Sequence, residues 1–79
     1  MSRHIVELEN GEYIAYGYDR PLSEYFWTKF DAEGEAIDGE SCIWPSGRIT
    51  GVRLAEKLME FGAPQEHIDL AMMDLPIPQ

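Results

Sequence analysis

Apolar and polar positions alternate with a period of two over the first third of the chain, the pattern of a strand with one buried face. His4, Val6 and Leu8 fall on one side, and Ile5, Glu7 and Glu9 on the other. Further on, Ile14, Tyr16 and Tyr18 alternate with Tyr13, Ala15 and Gly17. Residues 3–18 therefore read as a β-hairpin. Asn10-Gly11 suits a two-residue type I′ loop, but that loop pairs Leu8 with Tyr13 and sends Ile14 and Tyr16 to the face opposite Val6. A three-residue loop, Glu9-Asn10-Gly11 with Gly11 in the left-handed position, pairs Val6 with Ile14 and His4 with Tyr16. It gathers the large apolar side chains on one face, and the buried face sets the register. The three-residue loop is the better reading.

Arg20-Pro21-Leu22-Ser23 is a turn, because Pro21 fixes φ and has no N–H to give a ladder. Residues 24–31 are rich in aromatics and form the strongest strand signal. Phe26, Thr28 and Phe30 share one face; Tyr25, Trp27 and Lys29 share the other. Ala32-Glu33-Gly34 is a second three-residue loop, and a shorter strand should follow within residues 35–43, interrupted at Asp38-Gly39. The period then changes to that of a helix. Thr50 is placed to cap a helix over residues 51–61, with Val52, Leu54 or Ala55, Leu58, Met59 and Phe61 as its apolar stripe and Gly62 as its terminator. Pro64 suits the first position of a second helix over about 64–74, burying Ile68, Ala71, Met72 and Leu75. Residues 76–79 hold two prolines and should be extended. The expected fold is α+β: an antiparallel meander of three to four strands, then two short helices packed on one face, in a single domain spanning residues 1–79.

Composition changes the picture in two ways. Aromatic residues are plentiful, which separates the chain from disordered acidic sequences. Cys42 stands alone, so no internal disulfide or C-x-x-C site is available. With no apolar run of membrane-spanning length, the expectation is a cytoplasmic protein without a membrane partner. A domain this small also has little room for the deep cleft of most small-molecule enzymes.

Charge narrows the functional classes further. Fifteen Asp and Glu oppose six Lys and Arg, a net charge of −9 on 79 residues. The acids come in runs without bases: Glu7, Glu9, Glu12 and Asp19 in one, Asp31, Glu33, Glu35, Asp38 and Glu40 in the other. Such a field repels nucleic acid and anionic membrane and steers the chain toward basic surfaces. Arg48, Arg53 and Lys57 are the only basic cluster, and pairing with Glu56 and Glu60 within the helix accounts for it.

Little in the chain suggests catalysis or metal binding. Cys42, His67 and Asp69 can be written as a triad, but their spacing implies no proximity, and a lone Cys is usually a small buried hydrophobe. Asp31, Glu33 and Glu35 beside Gly34 alternate like calcium-loop acids, yet the order of ligands and the strand flanks are wrong for one. Residues 46–51 precede a helix as an anion loop does, but lack the Lys and the spacing. No enzyme, cofactor or metal is expected.

An interaction surface is the stronger candidate. With the preferred register Glu7 and Glu9 point outward, about 6.7 Å apart by strand rise, and Tyr13 shares their face. Tyr25 and Trp27 join that face if the third strand pairs accordingly; the alternative is that they form the inner face. Exposed aromatics beside carboxylates are the composition of an interface centre. In size, charge, α+β patterning and lack of catalytic motifs the chain resembles the small acidic proteins that phages and mobile elements encode against host defences, including anti-CRISPR proteins and DNA mimics. The resemblance implies a non-catalytic inhibitor or regulator of a nucleic-acid-handling complex. Its partner would be a larger protein or ribonucleoprotein with a basic surface. Glu7, Glu9, Glu12, Asp31, Glu33 and Glu35 would then supply charge, and Tyr13, Tyr25 and Trp27 contact area. The other reading is a small accessory domain that forms a homodimer through its exposed sheet face; neither involves direct nucleic-acid contact.

Overall fold

A four-stranded antiparallel sheet is built in chain order from β1 (His4–Glu7), β2 (Tyr13–Asp19), β3 (Glu24–Phe30) and β4 (Ala36–Glu40). Two helices follow, α1 (Gly51–Phe61) and α2 (Gln65–Met72), giving the expected α+β meander. The computed structural model describes residues 2–41 and 44–78. Cys42 lies outside the described residues, and with it any account of the Cys42–His67–Asp69 set.

The first hairpin has the register that apolar pairing demands, with His4 opposite Tyr16 and Val6 opposite Ile14. The Leu8 N–H donates to the Glu12 carbonyl at 2.8 Å and closes a three-residue loop, in which Asn10 and Gly11 have φ of 61° and 79°. The second hairpin closes the same way: the Asp31 N–H donates to the Glu35 carbonyl at 2.9 Å, and Gly34 has φ of 86°. β4 differs from expectation. It runs unbroken through Asp38-Gly39, and its irregularity lies earlier: Lys29 pairs with Asp38 but Phe30 with Ala36, leaving Ile37 as the extra residue of a bulge. Gly39 is required where it stands for another reason. The Trp44 indole lies against it, and a Cβ there would come within 2.6 Å of the ring nitrogen.

The β2–β3 register corrects the assignment of faces. Tyr16 pairs with Trp27 and Tyr18 with Tyr25, while Tyr13 pairs with Phe30. Directly paired residues share a face. Tyr25 and Trp27 therefore lie on the helix-covered side, away from Tyr13.

The first helix begins and ends as its caps dictate, whereas the second is shorter than expected and stops at Met72. Thr50 Oγ1 accepts from the Arg53 N–H at 3.1 Å, and Gly62, with φ of 77°, terminates α1 in a left-handed turn. Pro64 sits one place earlier than expected, as the extended cap of α2, where its carbonyl accepts from His67 and Ile68. The core joins Ile14, Tyr16, Tyr25 and Trp27 of the sheet to Leu54, Ala55 and Leu58 of α1 and Ile68 and Ala71 of α2. Ile77 in the extended C-terminal segment seals it. Val52, Met59, Met72 and Leu75, expected in the core, are exposed. The sheet aromatics already fill the inner face, so each helix contributes a narrow strip of mostly small or branched side chains.

Candidate functional site

The two acidic runs are far apart in sequence and adjacent in space. Because Tyr13 pairs with Phe30 at the end of the β2–β3 ladder, the two hairpin loops lie side by side. A Cβ on Gly11 would sit 3.2 Å from that of Ala32. This end of the sheet carries Glu7, Glu9, Glu12, Asp31, Glu33 and Glu35. Two of the six have internal partners. Glu12 is 3.6 Å from Lys29 Nζ, and Asp31 Oδ1 accepts from the Glu33 and Glu35 N–H groups at 3.0 and 2.9 Å. Glu7, Glu9, Glu33 and Glu35 are exposed and make no ion pair among the described residues. Glu9 begins the 3-10 turn rather than continuing β1, so the strand-rise spacing from Glu7 does not apply to it.

Of the three aromatics assigned to this surface, one is there. Tyr13 is half-buried on the outer face, stacked on Phe30 with ring centroids 4.9 Å apart and planes 17° apart. Trp27 is 1% exposed, and its Nε1–H donates to Glu40 at 2.9 Å. The Tyr25 hydroxyl donates to the Leu75 carbonyl at 2.9 Å; burial, then the charges of Asp74 and Tyr18, push its pKa up to about 12. Tyr25 and Trp27 thus hold helices and C-terminal segment to the sheet and offer no outward contact area. Phe30 takes their place beside Tyr13. Counting pairs across the four-residue turn, Asp19 against Glu24, would have found it. Next to Tyr13 lies an open depression of about 420 Å³ lined by Ile5, Glu7, Leu8, Gly11 and Tyr13.

The basic residues of α1 and its approach are engaged within the domain. Arg48 donates to the carbonyls of Leu22 and Ser23 and holds the β2–β3 turn. Arg53 pairs with Glu40 on β4 at 3.0 Å, closer than its helical neighbour Glu56 at 4.0 Å. Lys57 pairs with Glu60 at 3.2 Å while lying over the Trp27 ring.

His67 joins a cluster that spacing alone did not reveal. Its Nδ1 is 2.6 Å from the Tyr16 hydroxyl, and its ring centroid is 4.3 Å from that of His4. His4 Nε2 donates to the Pro78 carbonyl at 2.6 Å, since a carbonyl only accepts. Burial and the neighbouring His4 push the His67 pKa down, and burial pushes that of Tyr16 up. The two groups therefore meet as a protonated hydroxyl and a neutral imidazole, and the imidazole tautomer sets which of them donates. This pins α2 and the C-terminal segment to β1 and β2. Asp69 accepts from Gln65 instead of approaching His67.

Among the described residues no three metal-ligating side chains converge, and no helix is long and apolar enough to cross a membrane. Comparison with protein-family models, curated proteins and solved structures gave no match.

Proposed function

We propose that this chain is a non-catalytic acidic binding protein that inhibits or regulates a nucleic-acid-handling protein or ribonucleoprotein by occupying a basic surface on it, as DNA mimics and anti-CRISPR proteins do. One observation carries the reading: six acids drawn from the two base-free runs meet at one end of the sheet, where the two hairpin loops lie side by side. Four exposed carboxylates there make no ion pair among the described residues, and the basic side chains of α1 are engaged elsewhere. Carboxylates held on paired strands and tight loops have their backbone spacing fixed in advance, so binding has only their side chains left to order. Steric blockade of the basic groove is the mechanism, and it needs no catalytic group.

The test is capture of partners from a bacterial lysate at low and high salt, with the bound proteins identified by mass spectrometry. A nucleic-acid-binding complex released by salt or by competing DNA is the expected result. Glu7→Lys with Glu33→Lys should then slow association with that complex by about tenfold or more at low salt and by much less at high salt. Salt-insensitive capture would refute the electrostatic mechanism. Recovery of the chain alone, with a mass that rises with concentration, would favour the self-associating accessory domain.

A further inference from the structure

The depression beside Tyr13 combines features that acidity alone does not supply. Its lining includes two aliphatic side chains, Leu8 and Ile5, the latter about half exposed (52%) on a strand that is otherwise polar on this side. Glu7 stands at its rim, exposed and without an ion pair among the described residues. The Tyr13 ring that forms one wall is fixed by its stack on Phe30. The Gly11 wall carries no side chain, and the left-handed φ of 79° keeps it so.

We propose that this depression is a socket for an arginine side chain presented by a basic partner, a proposal that rests on the acidic-surface reading above. A guanidinium is flat, weakly hydrated and forked; it pairs with a carboxylate in two parallel hydrogen bonds while lying against an aromatic ring. Glu7 and Tyr13 offer those two surfaces, and Ile5 and Leu8 take the methylene stem. A lysine ammonium pairs with Glu7 equally well but gains less from the ring, being compact and strongly hydrated. An apolar side chain would bury Glu7 without a partner, which is costly. The socket would be the fixed point of the interface, around which Glu9, Glu33 and Glu35 act at longer range.

The test is an amide-resolved NMR titration of the full chain at low salt with two blocked tripeptides, acetyl-Gly-Arg-Gly-amide and acetyl-Gly-Lys-Gly-amide. The arginine peptide should shift Ile5, Glu7, Leu8, Gly11 and Tyr13 and bind roughly two- to fivefold more tightly than the lysine peptide. Glu7→Gln should weaken both peptides, and Tyr13→Leu should abolish the preference for arginine while leaving the spectrum folded. Equal shifts from both peptides, spread over the two acidic loops, would overturn the socket and leave the acidic-surface reading standing. Arginine-specific shifts alongside salt-insensitive partner capture would do the reverse. A dimer that dissociates on Arg3→Ala or Arg20→Ala would assign the depression to a second copy of the chain and also overturn the proposal.

Discussion

Gly51→Ala is a substitution that ordinarily stabilises a helix and should here do the opposite. Alanine in place of glycine gains roughly 0.5–1 kcal/mol from backbone entropy where the position is free. Gly51 is the first residue of α1 and is buried where the two helices and the sheet meet. A Cβ built there collides with the Ala71 carbonyl oxygen of α2. It also comes within 2.9 Å of Asp74 Oδ1 and 3.2 Å of the Tyr25 ring. The first obstacle is backbone, so no rotamer change relieves it; α2 must move. Overpacking of this kind costs about 1–3 kcal/mol. Because that obstacle is backbone, the upper part of the range applies, about 2–3 kcal/mol. The net loss is then about 1–2.5 kcal/mol, which in a domain of this size lowers Tm by roughly 4–20 °C. The assay is thermal unfolding followed by circular dichroism, with Gly62→Ala as reference. At Gly62 a Cβ meets nothing within 4 Å, and the left-handed φ of 77° is the sole penalty. Gly51→Ala should also shift the Tyr25 ring resonances, as Gly62→Ala should not. A Tm for Gly51→Ala equal to or above that of the parent chain would refute the close approach of the helices.

The histidine cluster makes stability depend on pH. His67 binds its proton less readily folded than unfolded, so stability is full above roughly pH 6.5 and is lost as pH falls through the depressed folded value. His4 works in the same direction and Glu66 against it. Urea midpoints taken from neutral pH to about pH 5 should therefore fall, and His67→Gln should flatten the dependence; an unchanged parent midpoint would contradict it. The correction of faces is testable as a contrast. Trp27→Ala should cost about 3–5 kcal/mol, most of the stability of so small a domain, whereas Tyr13→Ala should cost about 1 kcal/mol. Equal denaturant midpoints for the two variants would reverse that assignment.

Local rules were enough to read most of the fold. The hairpin register followed from matching apolar faces, and both loops from a Gly in the last of three positions, where the backbone turns left-handed. Thr50 and Gly62 marked the ends of α1 because a hydroxyl acceptor and a left-handed residue satisfy its terminal groups. The faces of β3 were harder to read. Which side Tyr25 and Trp27 occupy depends on the pairing across the 20–23 turn, and an odd shift would have exchanged the two faces. Val52, Met59, Met72 and Leu75 misled for a related reason: apolar spacing marks what a helix can bury, not how much facing surface exists to bury it. The convergence of the acidic runs follows from the meander itself, since alternate hairpin loops fall at the same end of the sheet. The cluster of His4, Tyr16 and His67 had no such signal, because it depends on how α2 returns across the sheet.

The order of events in folding follows from the same topology. Every strand pairs with its neighbour in sequence, and the two helices are adjacent, so most of the structure assembles from short-range contacts and should form fast. Three hydrogen bonds span most of the chain: Tyr25 to Leu75, Tyr16 to His67 and His4 to Pro78, with sequence separations of 50, 51 and 74 residues. Each closes a loop of 50 residues or more, so all three should form late, after the local pairing that sets the folding rate. They therefore act on the lifetime of the native state more than on the speed of reaching it. A chain with these ties weakened should refold as quickly as before and come apart sooner, spending more time open to proteases.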